Sequence, residues 1–500
     1  MGSRGTLGSC RAFRLAQLAL AIALPVYVGI SWWLRAGAGL ADNGDFMRAA
    51  SAFSSGPVGF AGGFVDVYTD QEAYARRYFR FYLPYWRLDW PGGLTIPRQF
   101  RSSAFLLWYP GVLLNMLLWS KEVLNLAVVS LPARLALIAF YAALLWWLRR
   151  AASPVQSLGL TAIVGLPVAL LLTADDYADY LNSFYFESAG LVFVPWFLAA
   201  LLGVSRSKAH KAAALCQLLL AALAVGSAKA AWAYWPVVAA LGCILAWRRA
   251  GLPKGKRWLQ LLLAPVALVL SALCLRFHGP TEYTLTMNSY HRLFKGLIAL
   301  SSHPELQLER LGLPEAARCV GKSPWSPEGQ ECLALVQPSL GLASTARVIL
   351  GEPLVLLRGL RAMAGHMQFS GLESIGRLPE RDPRASLSAG PAALWWAAKR
   401  SLFPRGDWLF VTLALGLALS SASYRSAGPR GQLGMAALVC LIAIPFDMLA
   451  AFLGEGLADA SKHLFLANLC FDLALIALLG SFWVWLAAMV ESHLRAKKAV

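Results

Sequence analysis

The sequence is poor in charge. Only 14% of its 500 residues are Asp, Glu, Lys or Arg, against roughly one-quarter in ordinary soluble domains. That shortage excludes a soluble enzyme and a disordered tail protein. Cysteine is sparse too: eight residues, scattered along the chain, exclude a secreted disulfide scaffold. No CxxC and no clustered Cys/His spacing occurs, so a built-in zinc site is not expected. Walker A, GxGxxG and HExxH motifs are missing, as are repeats of fixed period and low-complexity tracts. What is abundant is apolar. Hydrophobic residues make up 58% of the chain, and its mean hydropathy is +0.55. The class that remains is a polytopic membrane protein, all-α because only helices or closed barrels satisfy the backbone in lipid.

Runs long enough to cross roughly 30 Å of hydrocarbon lie near 13–34, 123–148, 154–173, 189–204, 212–228, 233–247, 258–276, 408–424, 432–453 and 463–489, predicting about ten spans. The first precedes Ala36-Gly37-Ala38, which looks like a cleavage site. Its apolar stretch exceeds the roughly 7–15 residues of a signal h-region and reads as an anchor. The formal net charge of +18 would point to nucleic acid in a soluble protein. Here it maps onto topology and anionic lipid-linked ligands, and no nucleic-acid partner is expected. Arg4, Arg11 and Arg14 precede the first span; Arg149 and Arg150 follow the second; Arg206, Lys208 and Lys211 the fourth; Arg248, Arg249, Lys254, Lys256 and Arg257 the sixth; Arg425 and Arg430 the eighth; Arg495, Lys497 and Lys498 the tenth. All fall on one side. The positive-inside rule makes that side, with both termini, cytoplasmic.

Two large extracytoplasmic loops are expected, 35–122 and 277–407, dividing the chain into a transmembrane module 1–276, a loop domain 277–407 and a C-terminal transmembrane module 408–500. The apolar segment 102–119 is interrupted by Pro110-Gly111. It reads as a broken amphipathic helix in the outer interface, anchored by Trp108, Tyr109 and Trp119, or as a re-entrant core helix. Six cysteines sit in or beside apolar runs as small core residues. Only Cys319 and Cys332 share a polar loop, where a disulfide fits an extracytoplasmic setting.

Several polar residues stand where chemistry is expected. Asp42 and Asp45 flank Asn43-Gly44 just past the first span, with Arg48 behind them. A carboxylate beside hydrocarbon suits removal of a proton from a sugar hydroxyl. The same residues equally suit a turn and a helix cap. The outer stretch Asp175-Asp176-Tyr177 through Asn182-Ser183-Phe184-Tyr185-Phe186-Glu187 alternates acids, amides and rings, a mixture that suits sugars. Lys229, Arg276, His278, Lys462 and His463 are isolated cations at the outer face, where a lipid phosphate needs donors. Asp447 and Asp472 lie inside spans, either as functional carboxylates or as helix-to-helix hydrogen-bond partners.

Taken together, these blocks resemble bacterial GT-C-type membrane glycosyltransferases, in particular the hexosyltransferases of surface-glycan gene clusters. The matching residues are Asn43-Gly44-Asp45-Phe46; Asn182-Ser183-Phe184-Tyr185 with Glu187; Asn288-Ser289-Tyr290 through Phe294-Lys295-Gly296 and His303-Pro304 to Leu311-Gly312-Leu313; and Gly454-Glu455-Gly456-Leu457-Ala458-Asp459 with Lys462-His463-Leu464 and Asn468. The stretch after Lys229 is less polar than the family pattern. The resemblance implies a GT-C-like fold, a sugar donor on a polyprenyl phosphate, an outward-facing site and inversion at the anomeric carbon. It places the catalytic acid on Asp45, with Asp42 as substitute. The donor phosphate falls to Lys229, Lys462, His463, Arg48 and Arg276, and the sugar or acceptor to Asn182, Tyr185, Glu187, Asn288 and Tyr290. The acceptor would be a glycan, glycolipid or glycoprotein, and the location the bacterial inner membrane. No cofactor is required by these residues, though Mg or Mn remains compatible with them.

Overall fold

The computed structural model describes residues 4–42, 44–54, 56–58, 82–89, 101–150, 153–206, 211–250, 258–279, 281–367, 375–377, 395, 397, 399, 401 and 406–499. The chain is an all-α polytopic membrane protein. The span α1 (Arg4–Leu34) leads through a buried segment, 38–42, to the short helix α2 (Asp45–Ala50). Strands β1 (Gly56–Pro57), β2 (Tyr85–Arg87) and β3 (Val123–Asn125) form a small antiparallel sheet in that order, with Trp86 opposite Pro57 and Leu124. Helix α3 (Phe105–Leu118) lies between β2 and β3, and α4 (Leu126–Val129) follows. Then come α5 (Leu131–Arg150), α6 (Pro154–Thr173, π-wound over Thr161–Gly165), α7 (Asp175–Leu181), α8 (Glu187–Arg206), α9 (Lys211–Gly226), α10 (Trp235–Ala250) and α11 (Trp258–Phe277).

The second loop contributes α12 (Glu282–Tyr290), continued by a π-turn over His291–Leu297. It goes on through α13 (Pro304–Leu311), α14 (Pro327–Val336), α15 (Leu342–Gly351) and α16 (Leu354–His366). The chain closes with α17 (Asp407–Tyr424), α18 (Gly428–Glu455), the single turn α19 (Ala460–His463) and α20 (Phe465–Ala499). Cys319 and Cys332 are disulfide-bonded within the second loop, tying the turn after α13 to the middle of α14 as the sequence suggests.

The basic helix ends gather at one end of the bundle, as the sequence predicts. Gln17 bonds Ser157; Ser153 Oγ donates to Glu491 at 2.6 Å; Trp483 Nε1 donates to the Gln156 carbonyl at 3.2 Å. Arg249 donates to the carbonyls of Tyr424, Ser426 and Gly428, and Gln432 reaches Ser205 at 3.2 Å. The described parts of both large loops sit at the other end, called here the loop face.

Nine helices among the described residues are long and apolar enough to cross a membrane. The predicted fifth span is α9, whose 16 residues reach only about 24 Å. It nevertheless runs the length of α8: Ala214 touches Gly203 near one end, and Lys229, just beyond α9, pairs with Glu187 at the other. The predicted second span begins too early. Residues 123–130 are apolar enough for a span, but they form β3 and α4, and the span starts at Leu131.

Segment 102–119 is also corrected. α3 runs unbroken through Pro110, and Trp108 is buried rather than an interfacial anchor. Packing decides this: Gly111 lies against the Val129 carbonyl so closely that a Cβ would stand 1.9 Å from its oxygen. Both ends of α3 stay at the loop face, Ser103 bonded to Ser227 and Asn115 to Val123. The helix therefore does not cross, and every later basic loop keeps its side. Gly111→Val should push α3 off α4 at a cost of about 3 kcal/mol. Thermal unfolding in detergent tests this, with Gly365→Ala, which meets nothing within 4 Å, as the control expected to hold its midpoint.

Candidate functional site

A wide cavity of about 1230 Å³ opens at the loop face. Its wall includes Asp45 and Arg48 from α2, Lys229, Arg276 and His278 near span ends, Asn288 and Arg292 from α12 and its π-turn, and Glu455 and His463 from the α18–α19 turn.

Asp45 is held there by a chain of constraints that begins at α1. The segment 38–42 is fully buried. Gly39 and Ala41 donate their N–H groups to the carbonyls of Arg377 and Gly376, at 3.1 and 2.9 Å. On its other side Asn182 donates to the Ala38 carbonyl (2.5 Å), Ser183 Oγ accepts from Leu40, and Tyr185 OH donates to the Ala41 carbonyl (2.7 Å). Gly39 is needed because a Cβ would strike the Tyr82 ring at 2.5 Å. Arg377 is itself fixed by Asp176, and Arg35 by Asp175 and Asp179. The acids of 175–179 are thus committed to arginines rather than displayed to a sugar.

At the end of this strap Asp42 turns inward. Its Oδ1 accepts from the N–H groups of Gly44 (2.7 Å) and Met47 (3.2 Å), capping α2. Gly44 has φ of 96°, a conformation that favours glycine. The other oxygen, Oδ2, is buried with no hydrogen-bond partner among the described residues. Burial raises the Asp42 carboxyl to about 6, against the lowering effect of those N–H bonds and of Lys462 and Arg48. Phe46, next in α2, packs against Trp86, Phe184 and Tyr185. With that anchor, Asp45 takes the first turn on the cavity side.

Two cations grip Asp45. Arg48 Nη1 lies 2.8 Å from Oδ1, and Lys462 Nζ pairs with Oδ2. Lys462 is buried and lies 5.1 Å over the Tyr185 ring. Burial pulls its ammonium down to about 7, opposed by the charge of Asp42. Lys462 is brought into reach by the tight 454–459 turn, in which Asp459 adopts a positive φ of 43° and Gly456 packs on Gly296.

A second row of charges also lines the cavity. Lys229 Nζ is 2.8 Å from Glu187 Oε1 and 3.3 Å from His463 Nδ1, and His463 Nε2 is 2.9 Å from Glu455. An ammonium only donates, so Nδ1 accepts and the ring proton sits on Nε2, facing Glu455. Arg292 is tied to Thr345, Leu453 and Ser289. Arg276, at the end of α11, is exposed on the wall and makes no ion pair among the described residues.

The residues singled out in the sequence divide accordingly. Asp45, Arg48, Lys229, Arg276, His463 and Asn288 all line the cavity. Lys462 stands just behind it, and Glu187 backs Lys229. Asn182 does not reach the cavity: Ser130 and Arg134 donate to its side-chain oxygen, at 3.0 and 2.5 Å, and its amide is spent on Ala38. Tyr185 is likewise spent on Ala41, and Tyr290 is buried against Phe294 with its hydroxyl on the Cys319 carbonyl. These three position the backbone instead of facing a ligand. Asn43 lies outside the described residues. Of the other wall residues, His278 is one of the outer-face cations singled out in the sequence, whereas Arg292 and Glu455 were given no role there; Glu455 stood inside the Gly454–Asp459 block, its one available signal. Asp447 accepts from Tyr234 and from the Ala467 N–H at the start of α20, and Asp472 binds Tyr177 and Lys399. Both are helix-to-helix ties. Among the described residues, no group of three His, Cys, Asp or Glu is placed to hold a metal.

Comparison with protein families matches residues 10–499 to the YfdI N-terminal transmembrane domain. The chain belongs to this family. Comparison with curated proteins and with solved structures gives no match.

The raised Asp42 has a defined pH signature. Its carboxyl titrates near 6 when folded and near 3.8 when unfolded, so the folded state holds the proton more tightly. That stabilisation is present at low pH and is lost as pH rises from about 4 to about 6, by about 3 kcal/mol. Asp42→Asn should remove this slope, seen as the wild-type-minus-variant difference in thermal midpoint in detergent at pH 4 and pH 7.

Proposed function

Taking membership of the YfdI transmembrane family as the premise, we propose that the chain is an inverting, GT-C-like glycosyltransferase of the bacterial inner membrane. Its donor is a sugar on a polyprenyl phosphate, and its acceptor a glycan, glycolipid or glycoprotein of the cell envelope. The basic end of the bundle is cytoplasmic by the positive-inside rule, so the cavity faces the periplasm. The observation that carries this reading is the cavity lining itself, which brings the Asp45 carboxylate together with Arg48, Lys229, Arg276 and His463 at the ends of the spans.

The geometry suits a lipid-linked donor. The cavity wall also carries Leu275, Leu285 and Leu342, each exposed, an apolar lining for a prenyl chain. Arg276 is available to the phosphate, and Lys229, held by Glu187 and His463, stands within the same wall. Asp45 is aimed by its ion pairs with Arg48 and Lys462. It takes the proton of the acceptor hydroxyl as that oxygen forms its bond to the anomeric carbon. The bond from that carbon to the phosphate oxygen breaks with inversion, and Arg276 and Lys229 stabilise the charge left on the departing polyprenyl phosphate. Asn288 lies where it can bond a sugar hydroxyl.

Transport of a lipid-linked sugar is less well supported, because Asp447 and Asp472 are bonded into helix packing rather than lining a path. The test is the surface-glycan profile of cells carrying Asp45→Asn or Asp42→Asn, with membrane expression checked. Asp45→Asn should lose one sugar decoration, with turnover down by roughly 100-fold, while Asp42→Asn retains it. An unchanged glycan in the Asp45→Asn strain, beside a defective deletion strain, would overturn the catalytic assignment.

A further inference from the structure

The second loop carries an apolar surface that begins at the cavity edge and extends beyond it. α15 turns Thr345 and Val348 inward, Thr345 onto Arg292. Its opposite face, Leu342, Ala346 and Leu350, is exposed, with Leu342 and Leu350 at 78% and 80%. α16 repeats the pattern. Val355, Gly359 and Met363 are buried, whereas Leu354 and Leu357 are about 60% exposed (63% and 60%). Leucines at a four-residue and then a three-residue spacing make one continuous outward stripe across the bend at Glu352-Pro353, with Arg347 beside it.

The depth of this stripe is fixed by its neighbours. Gly359 packs flat on the ring of Phe452, in the last turn of span α18; a Cβ there would stand 2.3 Å from the ring. Two residues on, Arg361 forms a paired contact with Asp407, the first residue of span α17, at 2.7 and 2.8 Å. α16 therefore lies at the level where the spans end. Immediately below, α17 exposes Trp408, Val411, Leu415 and Leu419 on one helical face, the spacing of a lipid-facing stripe. The leucines of α15 and α16 continue that apolar surface sideways. α14, with the turn that follows it, and α15 meet at 89°, so α15 departs from its neighbour's direction.

We propose that α15 and α16 lie on the bilayer as an elbow, with Leu342, Leu350, Leu354 and Leu357 in the boundary between headgroups and acyl chains and Arg347 among the lipid phosphates. The occupant of this face is the phospholipid leaflet. Because Leu342 also lines the cavity, the elbow sets the cavity mouth at leaflet depth. This inference does not depend on the glycosyltransferase reading.

The test uses the full-length protein in nanodiscs, with Cys216, an exposed free cysteine, changed to Ser. Single cysteines are placed by Leu350→Cys, Leu354→Cys or Leu357→Cys and labelled with a polarity-sensitive fluorophore. Leu415→Cys is the lipid-facing reference and Glu309→Cys, exposed on α13, the aqueous one. Labels on the elbow should be quenched by a lipid bearing a nitroxide near its headgroup. Iodide should quench them roughly threefold less than the label at 309, as for interfacial helices. Quenching by iodide equal to that at 309, with no effect of the nitroxide lipid, would overturn the proposal. Protection from both quenchers would overturn it too, since the face would then be covered by protein. Agreement among three positions guards against one label disturbing its own helix.

Discussion

A charge placed where water is scarce needs a partner within reach, and the loop face is organised around meeting that need. Asp45 stands between Arg48 and Lys462, and Lys229 between Glu187 and His463. Removing one member weakens the pairing of those that remain. The clamp on 38–42 serves the same end from the backbone, since that buried segment would otherwise carry unpaired N–H and carbonyl groups. Arg377 supplies both, its carbonyl to Gly39 and its side chain to Asp176.

This explains how a cavity with mixed walls is stable at the end of a lipid-embedded bundle. The carboxylates deepest in the protein are satisfied by helix starts, hydroxyls or a lysine, as Asp447 and Asp472 are. Those with an exposed edge, Asp45 above all, look into the cavity. The electrostatic arrangement a transferase of the proposed kind needs is thus the same one that keeps the fold intact. Membership of the YfdI family fixes the membrane architecture; the chemistry rests on the wall residues.

The bundle was legible in the sequence because hydropathy and the placement of Lys and Arg are local signals. Where hydropathy failed, as at 123–130, it could not separate a strand and a short helix from the start of a span. α3 was misread because Pro110-Gly111 signals a break, whereas here Gly111 serves close packing on Val129. In the site, Asp45, Arg48, Lys229, Arg276, Lys462 and His463 were readable as charges against the trend of their surroundings. Asn182, Tyr185 and Tyr290 were not separable from ligand contacts. A polar side chain bonded to a distant carbonyl and one facing a sugar look alike in sequence. Their partners, Ala38, Ala41 and Cys319, are set only by the tertiary structure.

The Asp45–Lys462 pair joins residues 417 positions apart. Asp45 belongs to the short helix just past α1, Lys462 to the turn that leads into α20. Until α20 is threaded into the bilayer, Asp45 lacks its Lys462 partner and the cavity lacks the 454–463 side of its wall. The cavity is thus closed late in folding, by a contact between segments far apart in the chain, and the helices inserted earlier do not assemble it alone.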